Sequence, residues 1–317
     1  MLKSYTSNWT YPEFSPTLPQ NSVSRLYPRS ERYHTFRSLA VALDGALHIR
    51  DFQITRDRYV IFSDLHKGNR HPKIDDFQRN ESIYNQALHH YLNQDYRLVL
   101  NGDIEEGWKA DYDQILDAYE HTAYAAERDF ATQGQRYFRT YGNHDDDWAD
   151  PRKVDRFLKP MLGPVQVHPA IVLGNRIMIT HGHQGDPHSD QRAWLSQRVV
   201  RHVWRPLQRL TGLQQGCRAS ENHTIYSSRD EHLSGWAQAN RFLLIAGHTH
   251  RPMLNVDHEA IFSTHYINDG CCVHDNAITG LELEQGEIRL VKWDVFQNLS
   301  RRTVLKSADL GALLAGL

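Results

Sequence analysis

Tyr137-Phe138-Arg139-Thr140-Tyr141-Gly142-Asn143-His144-Asp145 decides how this chain is read. The aromatic and β-branched content of 137–141 predicts a β-strand, and Gly142 ends it. An amide, an imidazole and a carboxylate then follow on one turn at a strand's carboxyl end, where open α/β sheets bind ligands. Taken alone, these residues also read as ordinary turn chemistry.

Other strands of the chain end the same way. Arg58-Tyr59-Val60-Ile61-Phe62-Ser63 runs into Asp64 and His66, which flank Leu65 on the strand exit. Arg97-Leu98-Val99-Leu100 runs into Asn101-Gly102-Asp103, residues 177–180 into His181-Gly182-His183, and Arg241-Phe242-Leu243-Leu244-Ile245-Ala246 into Gly247-His248-Thr249-His250. Between them, apolar stripes at helical spacing predict helices over 32–47, 75–94 and 111–132. His89 and His90, on the second helix, read as packed or solvent-facing. Strands over 165–172 and 177–180 flank Gly174-Asn175, a hairpin signal. Short segments with turn signals after residue 250 predict a β-rich closing region. The alternation of strand and helix predicts an α/β layered sandwich.

Composition sets the outer bounds. With 317 residues, 40% hydrophobic and 23% charged, the chain can bury a large core. A net charge of −2 gives no broad electrostatic footprint for nucleic acid, and no interleaved arginine–aromatic groove is seen. No apolar run approaches a bilayer's span and no apolar stretch follows Lys3, so the expected location is cytoplasmic, with peripheral membrane contact left open. Cys217, Cys271 and Cys272 form neither an even framework nor a metal-ligand spacing, and the vicinal pair reads as buried strand-end packing. Twenty histidines are the compositional oddity.

Residues 1–50 read as an N-terminal extension and helix, and 51–317 as the main domain with a helical cap insertion at about 186–240. Asp186-Pro187 supplies an N-cap and first helical position. Arg198, Arg201, Arg205 and Arg209 recur on one side of the insertion. They are either a solvated basic face or guanidinium groups for a second phosphate. Arg201, Arg205 and His183 are the candidate substrate contacts, though His183 reads equally well as a loop histidine.

The strand ends together supply Asp64, His66, Asp103, Asn143, His181, His248 and His250. Mixed carboxylate, imidazole and amide donors suit borderline divalent ions such as Mn²⁺, Fe²⁺ or Zn²⁺ rather than an all-oxygen Mg²⁺ or Ca²⁺ cage. Seven such ligands exceed one ion's needs. They suit two ions about 3.5–4 Å apart that share a bridging carboxylate.

The ordered set Asp64-x-His66, Gly102-Asp103, Gly142-Asn143-His144-Asp145, His181 and Gly247-His248-x-His250 resembles the calcineurin-like metallophosphoesterase family. That resemblance implies two β-sheets packed as a sandwich with helices outside. It places Asp64, His66, Asp103 and His250 on one metal, and Asp103, Asn143, His181 and His248 on the other. Phosphodiester or pyrophosphate bonds of a nucleotide-linked or lipid-linked substrate would then be hydrolysed by a metal-bridging hydroxide, with Mn²⁺ the first choice of metal. His144 is left free to give a proton to the leaving oxygen, and Asp145 is expected to fix its tautomer.

A narrower similarity is to the UDP-2,3-diacylglucosamine pyrophosphatases. It is carried by His181-Gly182-His183-Gln184-Gly185-Asp186, the insertion, Arg251-Pro252 and Tyr266-Ile267-Asn268-Asp269-Gly270. Those enzymes typically have arginine where this chain has His144, which points back to the wider family. A non-catalytic protein-binding scaffold on the same fold and a nuclease are the alternatives from other classes.

Overall fold

The strand Tyr59–Phe62 (β2) is buried along its whole length, and its pleat divides it between two cores. Tyr59 and Ile61 face a core in the middle of the molecule, whereas Val60 and Phe62 face an outer one under helices. A run without polar alternation is what a strand covered on both faces requires. The strand Arg97–Asn101 (β3) divides the same way, Val99 inward and Leu98 and Leu100 outward.

The computed structural model describes residues 31–186, 223–254, 264–297 and 299–317, with only the backbone of 223–227. Two six-stranded sheets carry the fold. β2 pairs in parallel with β3, and β3 with Tyr137–Thr140 (β4). Ala277–Glu284 (β10), Glu287–Phe296 (β11) and Leu299–Asp309 (β12) extend this sheet as an antiparallel meander on the other side of β2. The second sheet runs Leu47–Ile49 (β1), Ile171–Leu173 (β5), Ile177–Ile179 (β6), Leu243–Ala246 (β7), Tyr266–Asn268 (β9), Met253–Leu254 (β8). Ile61, Val99, Ile177, Ile179, Ile245 and Leu281 fill the space between the sheets.

Helices cover both outer faces. Glu81–Asn93 (α2), Tyr112–Tyr119 (α3) and Ala123–Ala131 (α4) pack on the first sheet. Glu31–Asp44 (α1) packs on the second through Leu39 and Ala42, beside Leu233, Trp236 and Ala237 of a helix at His223–Asn240. The expected two-sheet sandwich flanked by helices is therefore the observed fold. In label order, the helix at 223–240 is α7, after Pro151–Lys153 (α5) and Lys159–Leu162 (α6), and Leu310–Ala315 (α8) closes the chain.

Several boundaries differ from the sequence reading. The helix expected over 111–132 is two helices, because Arg70 takes the Ala118 carbonyl (2.6 Å) and reaches Thr122 Oγ1 (3.3 Å), while Thr122 leaves helical geometry at φ −128°, ψ −95°. The helix expected from residue 75 begins at Glu81, since the Asp75 carboxylate is bound to the Arg70 and Gln78 amides and to Tyr119 Oη. The helix expected to end at 47 ends at Asp44, and Leu47 opens β1, hydrogen-bonded in parallel to β5. The boundary drawn at residue 50 thus falls just after β1, the edge strand of the second sheet. The Gly174-Asn175 hairpin is present, with φ of 54° and 62° as a primed two-residue turn needs. Cys271 and Cys272 are buried and form no disulfide among the described residues. Arg198, Arg201, Arg205 and Arg209, with most of the cap and Cys217, lie outside the described residues. Among the described residues no helix is long and apolar enough to cross a membrane.

Candidate metal centre

Parallel pairing brings the carboxyl ends of β2, β3 and β4 side by side, and β6 and β7 end beside them from the facing sheet. Each strand exit then turns sharply. Asp64, His66, Asp103, His248 and His250 all have positive φ, between 49° and 65°. A side-chain-bearing residue pays for left-handed backbone with roughly 1–2 kcal/mol. Glycine would relieve that strain but has no donor atom, so a ligand-bearing turn has to keep it. Glycines occupy the positions where a Cβ would collide instead. At Gly102 it would lie 2.7 Å from the His181 ring, and at Gly142 it would meet the Asp103 carboxylate.

The converging side chains form overlapping clusters whose donor atoms lie within 4.8 Å of one another: Asp64, His66 and His250; His66, Asp103 and His144; Asp103, His181 and His248. His250 Nε2 is 3.0 Å from Asp64 Oδ1, and His181 Nε2 is 3.1 Å from Asp103 Oδ2. Asp103 and His66 each belong to two of these clusters. Asn143 stands beside them, 3% exposed.

The other ring nitrogens are held from behind. His181 Nδ1 donates to the Asn101 carbonyl at 2.9 Å, which leaves Nε2 toward the cluster. His66 Nδ1 donates to Glu106 Oε2 at 3.1 Å. The amides of His144 and His248 donate to Asp103 Oδ1 (2.8 Å) and Asp64 Oδ2 (2.9 Å). Ser63 Oγ lies 2.5 Å from Asp64 Oδ2 and 2.6 Å from Asp269 Oδ1.

A divalent cation fits this donor set. His66 Nε2 and His181 Nε2, both members of these clusters, are buried without a hydrogen-bond partner, and so is Asn143 Oδ1. Buried polar atoms are rarely left so, because each costs about 1–3 kcal/mol. The electrostatics agree. Burial opposes charge on His181, yet Asp103 and Asp64 push it up to about 10. Burial likewise opposes ionisation of Asp64 and Asp103, and the surrounding imidazoles hold both carboxyls below their ordinary range. The carboxylates thus favour positive charge at His181, whereas burial and the neighbouring His181 lower the pKa of His248.

Asp145 does not act where it was expected. Its carboxylate accepts from the amides of Gly142 (2.6 Å), Ile104 (2.8 Å) and Asp103 (3.2 Å), and from Arg139 Nη2 at 3.3 Å. Four donors converging from the backbone and from β4 hold it behind the turn. The partner of His144 is Glu106, whose Oε1 lies 2.7 Å from Nδ1. Trp108 stacks on the other side of the imidazole, with centroids 4.1 Å apart. Burial works against a charged Glu106, but His144, Lys109 and His66 hold its pKa well below the carboxylate range. The run Glu105-Glu106-Gly107-Trp108 straight after Gly102-Asp103 was the available sequence signal for this pair.

His183 sits beside the centre, its ring centroid 5.5 Å from that of His181 and its Nδ1 buried without a partner. Burial, with His181 and His248 next to it, pushes its pKa well down. Two further contacts had no sequence signal beyond residue type. Asp186 Oδ2 lies 3.2 Å from His248 Nε2, and Arg229 of α7 donates to the carbonyls of Gly182 and Gln184.

Fold and site together define a two-sheet sandwich with a donor cluster for divalent cations at its strand ends. The chain belongs to the calcineurin-like phosphoesterase family, whose model matches residues 58–252. Vacuolar Protein Sorting 29 from Cryptosporidium parvum aligns at 13% identity and TM-score 0.35, covering 82% of this chain and 100% of that one. Wild-type Vps29 complexed with zinc, from Entamoeba histolytica, aligns at 14% identity and TM-score 0.33, covering 80% and 99%. No curated protein matches the chain.

Proposed function

We propose that this protein is a hydrolase of phosphodiester or pyrophosphate bonds that works with two divalent transition-metal ions, Mn²⁺ first among them. Asp64, His66, Asp103 and His250 would hold one, and Asp103, Asn143, His181 and His248 the other. The observation that carries the reading is the pair of unpartnered, buried donors His66 Nε2 and His181 Nε2 around Asp103, with Asn143 Oδ1 likewise buried and unpartnered. When bound, such ions supply a nucleophile at neutral pH and offset charge on the phosphoryl oxygens.

His144 is the acid of this reading. Its Nδ1 is tied to Glu106, its ring face is covered by Trp108, and its side chain is partly exposed, so Nε2 is the atom available to a leaving oxygen. Glu106 stabilises the imidazolium and fixes the tautomer, the part first expected of Asp145. The same pair supports the wider phosphoesterase reading over the lipid pyrophosphatase branch, for which motif order in the sequence is the support. A cytoplasmic enzyme acting on a nucleotide-linked or lipid-linked ester remains the proposal for its setting.

The test is a screen of phosphomonoesters, phosphodiesters and nucleotide pyrophosphates with Mn²⁺-loaded protein, together with elemental analysis. The expected result is two metal ions per chain and metal-stimulated cleavage of a diester or pyrophosphate. Asp103→Ala should empty both sites, whereas His66→Ala should spare the second more than the first. A chain that binds no metal and cleaves nothing would overturn the proposal.

A further inference from the structure

A cleft of about 750 Å³ opens beside Asn143 and His183, and one of its walls is α1. That helix precedes the segment matched by the family, residues 58–252, so this wall lies outside the matched segment. The helix is firmly placed. Arg229, 8% exposed, joins Thr35 Oγ1 (2.7 Å) to the Gly182 carbonyl (2.9 and 2.7 Å) and the Gln184 carbonyl (2.5 Å), so α1 is tied to the loop that carries His181 and His183. Gly185 packs so closely on α1 that a Cβ there would lie 2.5 Å from the His34 carbonyl carbon.

We propose that this cleft binds the organic substituent that stays on phosphorus after cleavage, a polar ring of nucleoside or sugar size; this rests on the diester and pyrophosphate reading above. The position fits the role. His144 stands against His66 in the first cluster, with ring centroids 4.6 Å apart, whereas the cleft adjoins Asn143 and the His181–His183 loop at the second. A phosphoryl group spanning both clusters would thus direct its leaving oxygen toward His144 and its retained substituent toward α1. A space of this size takes a small-molecule group of that kind.

The lining selects the class. Arg37 is exposed and makes no ion pair among the described residues, but Asp44 and Asp146 line the same cleft, so it has no positive excess to favour a second phosphate. Val41, 67% exposed, and Pro169 offer an apolar wall for a ring face. His34 and His183 are the imidazole-bearing residues of the lining and give it polar edges. An apolar face with polar edges is what a nucleoside or sugar ring presents.

Binding to the full-length, Mn²⁺-loaded chain tests this without relying on turnover. Isothermal titration should show adenosine 5′-monophosphate binding at least tenfold tighter than inorganic phosphate. In the double variant His34→Ala/Arg37→Ala that preference should fall below threefold. The buried side of α1 is Thr35, Leu39 and Ala42, so neither substitution removes its packing, and a thermal melt verifies this. A parent protein with no preference for the nucleotide, or a double variant that keeps the whole of it, would overturn the cleft assignment. The two readings separate cleanly. Nucleotide binding through α1 without hydrolysis of any phosphoester sinks the hydrolase and leaves the cleft as a nucleotide site only, whereas diester hydrolysis with no nucleotide preference sinks the cleft alone.

Discussion

Glu106 holds His144 and His66 at once, with Oε1 2.7 Å from one Nδ1 and Oε2 3.1 Å from the other. One buried carboxylate therefore sets the tautomer of both the proposed acid and a proposed ligand, and turns the Nε2 atom of each outward. Glu106→Gln keeps the size but cannot stabilise an imidazolium. It should lower kcat by on the order of 10- to 100-fold and weaken metal binding at the first cluster more than at the second. Turnover and metal content within twofold of the parent would remove Glu106 from the mechanism.

His144→Ala isolates proton transfer. Its ring lies within reach of the His66 and Asp103 donors, so metal content has to be measured beside rate. With metal retained, turnover should fall by a factor on the order of 10² to 10⁴. The loss should shrink as the leaving group becomes less basic, because such oxygens need no proton. An equal loss across leaving groups of widely different basicity would make His144 a positioning residue.

Asp145 should matter to folding rather than to the chemical step. Removing its carboxylate strands three buried amides and leaves the fully buried Arg139 with Glu105 as its remaining carboxylate. Asp145→Ala should cost about 3–5 kcal/mol in denaturant unfolding, and Asp145→Asn less, since the amide oxygen still accepts. An Asp145→Asn protein as stable as the parent but without turnover would return this residue to the chemistry.

The convergence of the candidate ligands was legible because each stands just beyond a predicted strand, and the strand ends lie side by side. β2, β3, β6 and β7 show this directly, each ending within two residues of Asp64, Asp103, His181 or His248. What the sequence concealed are contacts that depend on folding at long range. Asp145 follows His144 immediately, which suggested contact, but positive φ at Asp103 and the turn at Gly142 bring the backbone of both loops to its carboxylate instead. Glu106 is 38 residues from His144 along the chain and meets it only through β3–β4 pairing. The break between α3 and α4 is similar, since Arg70, which causes it, lies on another loop. No periodicity in 1–50 reveals that α1 walls the cleft, because its inward face at Thr35, Leu39 and Ala42 reads as ordinary core.

Arg229 offers the sharpest test of how the second half of the centre is kept in place. Its guanidinium is buried and donates to two carbonyls of the loop 182–184 and to Thr35, while Gln184 in turn bonds Thr180 and the Gly182 amide. A planar fork reaches acceptors on two elements together, which a lysine ammonium cannot do. Arg229→Lys should therefore destabilise the fold by about 3 kcal/mol, by leaving buried carbonyls short of donors. The damage should also be local. His181 and His183 sit on the loop that Arg229 holds, whereas Asp64, His66 and His250 do not, so metal affinity should fall at the second cluster before the first. Titration of the two sites with Mn²⁺, followed by electron paramagnetic resonance, reads that order. Equal weakening of both sites would show that Arg229 supports the domain as a whole and has no particular part in positioning His181.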